Sequence, residues 1–595
     1  MGKERSGIPK QYKWNIEAMY PDESLWEDDF AKALKKAEAF KQFAGRLGSD
    51  GKTLLRAFRE ADRVWLIAER VYVYARMKRD EDNREPRYQA FADRAQSLLS
   101  GVASALSFFT PEFLAIPGRK LAEMRRNEKG LDDYGYVMRR MLRRKAHVLS
   151  KNGENILARL GEVLGATGEI FTMINDADMK FGTIRDGENA RTEVTHGNYG
   201  NLMESRDRRV RKAAYNAVYR AYAAQKNTLA ATYGFNTKTD VISARIRKYE
   251  SSLEAALAGD NVPAAVYDNL IAVVNEHLDI LHRYMDVRRR VLGLPKLRMY
   301  DVYVPLFPPR KDRVSFEEAV TLMKEGLAPL GKTYCRRLSE GVDAGWIDVL
   351  ENEGKTAGAY SFGSYDSMPY ILMNYAGRLK DVFTLAHEMG HSMHSLFTRE
   401  TQPFRYGGHS IFTAEVASTV NESLLMRHLA ETRKEKDERK HLINMYIEAF
   451  RTTLFRQTMF AEFERLTHLA AESGEVLTAE LLSSEYGRLN AKYFGARVET
   501  DAHIRMEWSR IPHFYRAFYV YQYATGYSAA TAIADRILTE GKTASNDYIR
   551  FLRSGESDDP IELLKIAGVD MGKPEPIRDA MKVFGDLVSA LEQLA

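Results

Sequence analysis

The stretch Leu385-Ala-His-Glu-Met-Gly-His-Ser-Met-His394 decides how the rest of the chain is interpreted. Its flanks lack proline and carry apolar residues at helical spacing, which predicts an α-helix. On that helix His387 and His391 are one turn apart on the same face, with Cβ atoms about 5–6 Å from each other. Two imidazole nitrogens at this spacing can bind a single metal ion at about 2.0–2.1 Å each. The stretch therefore predicts a metal site built on a helix.

Glu388 directly follows the first histidine and completes the pattern His-Glu-x-x-His. In this pattern the glutamate acts as general base on a zinc-bound water. Zinc is inferred from the ligand types, since the affinity order alone does not separate it from manganese or cobalt. The alternative interpretation is a helix that carries two partly exposed histidines and no metal.

A catalytic metal site needs a third protein ligand. His394 lies on the same face as His387, but seven residues of helix rise about 10 Å, which predicts packing or indirect support. A metzincin site would need glycine at 394 and histidine at 397. Because the chain has His394 and Phe397 at these positions, the metzincin class is excluded. Glu415 opens a new helical pattern after a turn-rich stretch, and we predict it as the third ligand. Glu422 lies two turns further on the same face and is predicted to hydrogen-bond a metal-binding histidine. For both glutamates the alternative is a solvated helix face.

The overall composition describes a globular protein without an electrostatic partner. With 595 residues we expect two or more lobes, and 45% hydrophobic and 28% charged residues are ordinary values. A net charge of +5 gives no case for nucleic acid or a membrane surface. The single Cys335 excludes internal disulfides and fits a reducing compartment. No apolar segment resembling a secretory signal begins the chain, and no apolar run approaches the ~20 residues of a spanning helix, so we expect a cytoplasmic protein.

Helical periodicity dominates the chain, so the predicted fold class is mostly α. One strand-like patch covers residues 181–195, where Asp186-Gly187 predicts a hairpin turn. A second covers residues 357–375, just before the metal helix. There Gly358, Gly363 and Pro369 argue against central strands and for an edge. An exposed edge beside a metal site suits an extended peptide that adds as a strand, whereas the alternative is a small hairpin that caps a helical lobe.

Two segments together resemble a known family. His387-Glu-Met-Gly-His391 followed by His394, and Glu415 within Thr413-Ala-Glu-Val-Ala-Ser-Thr419, are similar to the oligoendopeptidase F branch of the thimet-type (M3) zinc metallopeptidases. The resemblance extends over nearly the full length. It implies a helical two-lobed architecture with a small β-sheet beside the zinc site, and it favours the substrate-edge interpretation of residues 357–375. We place an N-terminal helical lobe at 1–195 and a catalytic zinc-peptidase domain at 196–595.

The resemblance also implies an activity, which is hydrolysis of internal peptide bonds in oligopeptides. One Zn²⁺ per chain is implied, held by His387, His391 and Glu415, with Glu388 as the catalytic base. The oligomeric state stays open between a monomer and a small homo-oligomer. Two rival interpretations also remain: a zinc exopeptidase with the same ligand set, and a non-catalytic helical scaffold that carries the pattern by chance.

The segment Ile511–Tyr527 is unusually rich in tyrosine and contains His513. Amide hydrolysis creates an oxyanion, and neutral O–H or N–H donors aimed at it are worth a few kcal/mol each. The family resemblance implies that His513 and Tyr521 bind the scissile carbonyl, with Tyr515 and Tyr519 as further candidates. For any single tyrosine the alternative is a buried aromatic helix face. If His513 and Tyr515 both touch substrate, the helix must begin near Tyr515, after a loop that carries His513.

Overall fold

A computed structural model describes residues 3–307 and 313–594. Helices account for 72% of the structure and the sheets are small, so the predicted mostly α fold class is confirmed. In chain order the α-helices are α1 Glu23–Phe40, α2 Gly51–Glu81, α3 Pro86–Leu106, α4 Phe109–Ala115, α5 Gly118–Asn127, α6 Gly135–Arg143, α7 Lys151–Thr172, α8 His196–Glu204, α9 Arg208–Ala224, α10 Lys226–Ile246, α11 Ser252–Leu257, α12 Ala264–Glu276, α13 Leu278–Val291, α14 Phe316–Gly326, α15 Lys332–Asp343, α16 Leu379–Thr401, α17 Ile411–Thr432, α18 Lys436–Ala449, α19 Arg456–Glu472, α20 Ala479–Phe494, α21 Tyr521–Glu540, α22 Lys542–Leu552, α23 Pro560–Ile566 and α24 Glu575–Leu594.

The strands are all two or three residues long. They are β1 Thr183–Arg185, β2 Arg191–Glu193, β3 Leu297–Arg298, β4 Ile347–Asp348, β5 Tyr360–Phe362, β6 Tyr370–Leu372 and β7 Val498–Glu499. β1 and β2 form the antiparallel hairpin that Asp186-Gly187 predicted. β3 pairs with β7 in parallel. The third sheet has the order β4-β6-β5, with β4 parallel and β5 antiparallel to β6.

Contacts between Cα atoms divide the chain into two compact units, each assembled from separate stretches. The first unit comprises the described parts of Met1–Ala146, Asp312–Arg427 and Ile533–Gly568, and the second those of His147–Lys311, His428–Ala532 and Val569–Ala595. The predicted sequence boundary at residue 195 falls within the second unit, between β2 and α8, and stays a prediction.

In the first unit, α1, α2 and α3 pack side by side around a core that includes Trp26, Phe58 and Tyr74. Asp50 caps α2 by accepting the backbone N–H of Thr53, so the 31-residue helix begins where its first free amide is satisfied. Tyr370 and Leu372 of β6 belong to the same core. The three-stranded sheet is thereby fixed to the helices of its own unit.

Helix α3 and its continuation α4 raise the question of a membrane span. Within the described residues, Pro86–Ala115 is the one stretch long and apolar enough to cross a membrane by length and composition, and 28% of its apolar window is buried. Its Phe91, Ala95 and Leu98 side chains are buried in the first unit's core. Core helices of soluble proteins pass the same test, so this single stretch is weak evidence for a membrane.

The second unit is a helical assembly built around buried tyrosines. The largest fully buried side chains there include Tyr215, Tyr219, Tyr233, Tyr267, Tyr284 and Tyr486. Their rings fill the spaces between helices, and several hydroxyls find partners, as where the Tyr267 hydroxyl donates to the Ala461 carbonyl at 2.6 Å. Helices α10, α12 and α20 all pack against α19 in this way.

Candidate metal centre and active site

The helix predicted from the His-Glu-x-x-His pattern is α16, and α17 lies against it in backbone contact. A Cβ atom added at Gly390 would lie 2.6 Å from Ser418 Cα and 2.7 Å from the Ala417 carbonyl oxygen, closer than real Cβ atoms come. The Asn421 side chain also donates to the Ala386 carbonyl at 3.1 Å. The glycine between the motif's glutamate and second histidine therefore sets how closely the two helices approach.

This contact brings His387, His391 and Glu415 together. The Oε2 atom of Glu415 lies 3.6 Å from His387 Nε2 and 3.9 Å from His391 Nε2. All three ligand atoms lie within 4.8 Å of one another, and this is the one group of its kind among the described residues. Tetrahedral ligands at 2.0–2.2 Å from an ion lie about 3.4 Å from each other. The donor set and its spacing thus fit a single divalent metal ion.

Each histidine also makes a hydrogen bond to a residue other than Glu415. His387 Nδ1 donates to Oε1 of Glu422 at 2.6 Å, as the sequence predicted for that glutamate. His391 is hydrogen-bonded to the backbone of Ala414. The Nε2 atoms of both rings face Glu415, and for His387 the hydrogen bond from Nδ1 to Glu422 leaves Nε2 available to a metal ion.

The surroundings move the pKa values of the two imidazoles in opposite directions. Burial disfavours the charged form of His387, but the hydrogen bond and charge of Glu422 outweigh it and raise the pKa to about 9. For His391, burial and the charge of the neighbouring His387 both disfavour the protonated form, and together they lower its pKa to about 3. These surroundings therefore favour the protonated form of His387 and the neutral form of His391.

Glu388 lies on the buried side of α16, with 7% of its surface exposed. The backbone N–H of Ser361, in strand β5, donates to its carboxylate. Burial raises the pKa of Glu388 to about 7, opposed by His387 and assisted by the charge of Glu415. A carboxylate with a pKa near neutrality can accept a proton and return it at physiological pH.

Strand β5 is the edge strand of its sheet. It pairs with β6 on one side, and the described residues supply no second neighbour. The Ser361 hydroxyl lies 2.8 Å from the Ser392 hydroxyl on α16, so this edge runs directly beside the metal helix. The predicted edge is confirmed for β5 but is wrong for β6, which pairs on both sides and is fully buried. Pro369 precedes β6 instead of interrupting it, so no ladder hydrogen bond is lost.

His394 packs in the protein interior. It is 1% exposed, and its ring stacks on that of His409 with centroids 3.7 Å apart. Burial and the neighbouring histidines hold the pKa of His394 well below its usual value, so the ring is neutral. The predicted packing role agrees with this environment.

His513 and Tyr521 belong to the second unit. His513 and Tyr515 both lie in the 3-10 turn Pro512–Tyr515, and α21 begins only at Tyr521, so the condition of a helix that starts near Tyr515 is not met. The His513 ring is stacked on Tyr519 at 6.1 Å between centroids and lies edge-on to Tyr523 at 5.9 Å. Together these three residues form an aromatic cluster that we call the His513 cluster.

The two remaining candidate tyrosines lie elsewhere in the same unit. Tyr521 is 2% exposed and its ring lies 5.2 Å from that of Tyr267. Tyr515 stacks on Phe171 at 4.4 Å. Sequence reasoning missed Tyr523, although its spacing of four residues from Tyr519 was a usable signal. It also missed Ser361, for which only its place in the predicted strand gave a hint.

Comparison with known proteins identifies the family of this chain. The model of peptidase family M3 matches residues 201–583, and that of the Oligopeptidase F N-terminal region matches residues 112–181. The chain is 44% identical over 591 residues to oligopeptidase PepF of Bacillus subtilis, covering 99% of this chain and 88% of that protein.

Solved structures give the same result. A crystal structure from Chlamydophila abortus has a TM-score of 0.93 at 34% identity and covers 100% of both chains. The oligoendopeptidase-F structure from Enterococcus faecium has a TM-score of 0.75 at 38% identity, covering 96% of this chain and 99% of that one. The chain is thus a metallopeptidase that cleaves oligopeptides. It belongs to peptidase family M3, in the oligoendopeptidase F group, and is a metalloendopeptidase.

Proposed function

We propose that this chain is a zinc-dependent endopeptidase in which Glu388 is the general base for hydrolysis of internal peptide bonds. The observation that carries the proposal is the convergence of two imidazole nitrogens and one carboxylate oxygen beside a buried glutamate of raised pKa. Two histidines and one glutamate are a ligand set of catalytic zinc sites that leave one position open.

His387, His391 and Glu415 would hold the ion, and Glu422 would fix His387 in the orientation that metal binding needs. When bound, zinc polarises the substrate carbonyl and lowers the pKa of a water molecule. The remaining chemistry falls to the protein's own side chains.

Glu388 accepts the proton of the attacking water and delivers it to the nitrogen of the leaving amine. Its raised pKa supports both transfers, since the carboxyl can be ionised before the attack and protonated after it. The Ser361 N–H holds the carboxylate beside β5 and so keeps the base next to the edge where substrate is proposed to lie.

Substrate is proposed to add to β5 as an additional strand. The edge of β5 that does not pair with β6 offers backbone groups to an extended peptide, apart from the Ser361 N–H that binds Glu388. Such backbone pairing is independent of side-chain sequence. A short edge of three residues suits oligopeptides of varied sequence.

His513 and Tyr521 remain the proposed donors to the oxyanion of the scissile carbonyl. The exposure of His513 supports its part in this role. Tyr519 and Tyr523 share the His513 cluster and join the candidates, whereas Tyr521 would have to act from a buried position against Tyr267.

The remaining proposals concern the setting of the enzyme. We retain a cytoplasmic location, oligopeptides as the partners, and no interaction with nucleic acid or membranes. The division at residue 195 is retained as well, because the two family matches change over between residues 181 and 201.

The test combines metal analysis with cleavage of an internally quenched peptide blocked at both termini. We expect one equivalent of zinc, internal cuts, loss of cleavage with a chelator, and recovery on adding zinc back. Zinc without cleavage of the blocked peptide would favour an exopeptidase. If the protein held no zinc and cut no peptide, the non-catalytic scaffold would be the remaining interpretation. If activity recovered fully only with manganese or cobalt, the choice of zinc would be overturned.

A further inference from the structure

A strained backbone turn lies within the segment that carries His513. Among the described residues other than glycine, four have a positive φ: Asn189, Lys248, Asn261 and Phe518. Asparagine tolerates this conformation, but for a bulky aromatic such as Phe518, with φ of 53°, it is an outlier. Such a conformation persists only where the surrounding structure holds it in place.

Glu464 of helix α19 holds this turn. Its Oε1 atom accepts the backbone N–H of Phe518 at 2.9 Å. The Phe518 ring is 2% exposed and lies against His468, at 4.4 Å between centroids, and Tyr267, at 5.7 Å. His468 is one helical turn beyond Glu464 and donates from Nδ1 to its carbonyl. One face of α19 thus binds both the backbone and the ring of the strained residue.

Burying the carboxyl of Glu464 at this position costs free energy. It is 0% exposed, and its Oε2 atom has no hydrogen-bond partner within the described residues. Burial raises its pKa well above the usual value, which favours the neutral carboxyl. An apolar side chain would fill the same space without burying an unpaired oxygen. The single feature that an apolar residue lacks is the acceptor for the Phe518 N–H.

The turn determines where the next residue, Tyr519, is placed. Directly after Phe518, the Tyr519 ring is stacked on the His513 ring with an interplanar angle of 9°. The guanidinium of Arg516 lies over the same Tyr519 ring, 4.1 Å from its centroid. Tyr523 closes the cluster at 5.4 Å from Tyr519. A change in φ at Phe518 would rotate Tyr519 away from His513.

We infer that Glu464 is a positioning residue of the peptidase reaction, which fixes the left-handed turn at Phe518 and through it the geometry of the His513 cluster. The inference rests on the proposed role of His513 at the scissile carbonyl. It assigns no contact with substrate to Glu464 itself.

The test measures kcat and KM of the zinc-loaded full chain on a doubly blocked quenched peptide. Glu464→Met keeps the shape but removes the acceptor, and we expect kcat to fall about 10- to 100-fold with KM nearly unchanged. Glu464→Gln keeps an acceptor oxygen and should restore kcat to within about threefold of the parent. Glu462→Gln, two residues away on α19, is the matched control. It removes a carboxylate charge that pairs with Lys492 and leaves the Phe518 N–H bonded to Glu464.

A double-mutant cycle separates this inference from the proposed function. If Glu464 acts through His513, then Glu464→Met combined with His513→Ala should be no slower than His513→Ala alone. Multiplying losses would overturn the inference, as would unchanged kcat in folded, zinc-loaded Glu464→Met. Full activity of His513→Ala would instead show that the proposed role of His513 has failed. If Glu464→Met does not fold, Glu464→Asp withdraws the acceptor while keeping the carboxyl, and the same outcomes apply.

Discussion

His387 Nδ1 lies 2.6 Å from Oε1 of Glu422, and this hydrogen bond links the metal helix to the next helix of the chain. Glu422 stands two turns beyond Glu415 on α17, so one helix supplies both a ligand atom and the support for another ligand. The bond fixes the tautomer of His387 and makes Nε2 the free nitrogen. Metal affinity should therefore depend on a residue that does not face the ion.

We predict that Glu422→Ala lowers zinc affinity about 10- to 100-fold, because partners of metal-binding histidines have effects of this size. Glu422→Gln should lose less, since its amide oxygen still accepts the N–H of His387. Competition with a chromophoric chelator measures both. The exposed Glu431, at the far end of α17, provides the control variant Glu431→Ala, which should bind zinc like the parent. Equal affinity for Glu422→Ala and the parent would contradict the prediction.

Replacement of Glu388 is predicted to change turnover and to leave zinc binding intact. Glu388→Gln should keep its zinc, since the side chain is not one of the three converging ligands. Its turnover should fall by about 10²–10⁴-fold, the usual contribution of a general base. Metal analysis of the purified variant accompanies the peptide assay, and His387→Ala, which should lose the metal itself, serves as comparison. Substantial activity in Glu388→Gln would exclude this residue as the base.

Gly390 allows a prediction about the packing of α16 on α17. Gly390→Ala would place a methyl group 2.6 Å from Ser418 Cα, so the helices must separate. Overpacking of this kind costs about 1–3 kcal/mol, and here it also moves the histidines away from Glu415. We expect both a lower melting temperature and weaker zinc binding.

A matched glycine tests whether the effect comes from the close contact. Gly101 lies inside α3 of the same unit, and an added Cβ there meets no atom within 4 Å. Gly101→Ala should therefore be neutral or stabilising by up to about 1 kcal/mol, from helix propensity. If Gly390→Ala behaved like Gly101→Ala in both measurements, the inter-helix contact would not be the determinant of the site.

The metal site was largely predictable because its elements are local. Spacing of four residues fixes the shared face of His387 and His391, and the helical pattern after the turn at residues 406–410 placed Glu415 on the next helix. The details of strand pairing were not predictable in the same way. Pro369 argues against a central strand, but it stands one residue before β6, and the boundary of a three-residue strand is not encoded in its composition.

The tyrosine-rich segment shows where sequence reasoning stops. Which tyrosine shares a face with His513 depends on where the helix begins, and α21 begins at Tyr521, beyond both His513 and Tyr515. Between them the chain passes through the left-handed turn at Phe518, a conformation that a bulky aromatic rarely adopts and no local pattern predicts. The turn depends on Glu464, 54 residues away in the chain.

The last prediction concerns the buried charges under the sheet that carries β5. Asp348 of β4 is 1% exposed and binds Lys355 Nζ at 2.7 Å and Arg5 Nη2 at 2.7 Å. Asp348→Asn would leave a fully buried Lys355 without its counter-charge, which costs about 3–5 kcal/mol. We expect a clear drop in the melting temperature of this variant at pH 7. Asp586→Asn, which breaks the exposed pair with Lys582, should cost less than about 1 kcal/mol.

The pH dependence of this effect has a definite sign. Burial disfavours the charged form of Asp348, but Arg5 and Lys355 outweigh it and hold its pKa below the usual 3.8. Because the folded-state pKa is the lower one, the carboxylate stabilises the fold above pH 3.8, and this contribution is lost as the pH falls through the folded-state pKa. The difference between parent and Asp348→Asn should thus be constant from pH 5 to 8, within about 0.5 kcal/mol, and shrink below pH 4. Melting curves across this range decide the matter: a difference that grew on acidification would mean that Asp348 is protonated in the folded protein.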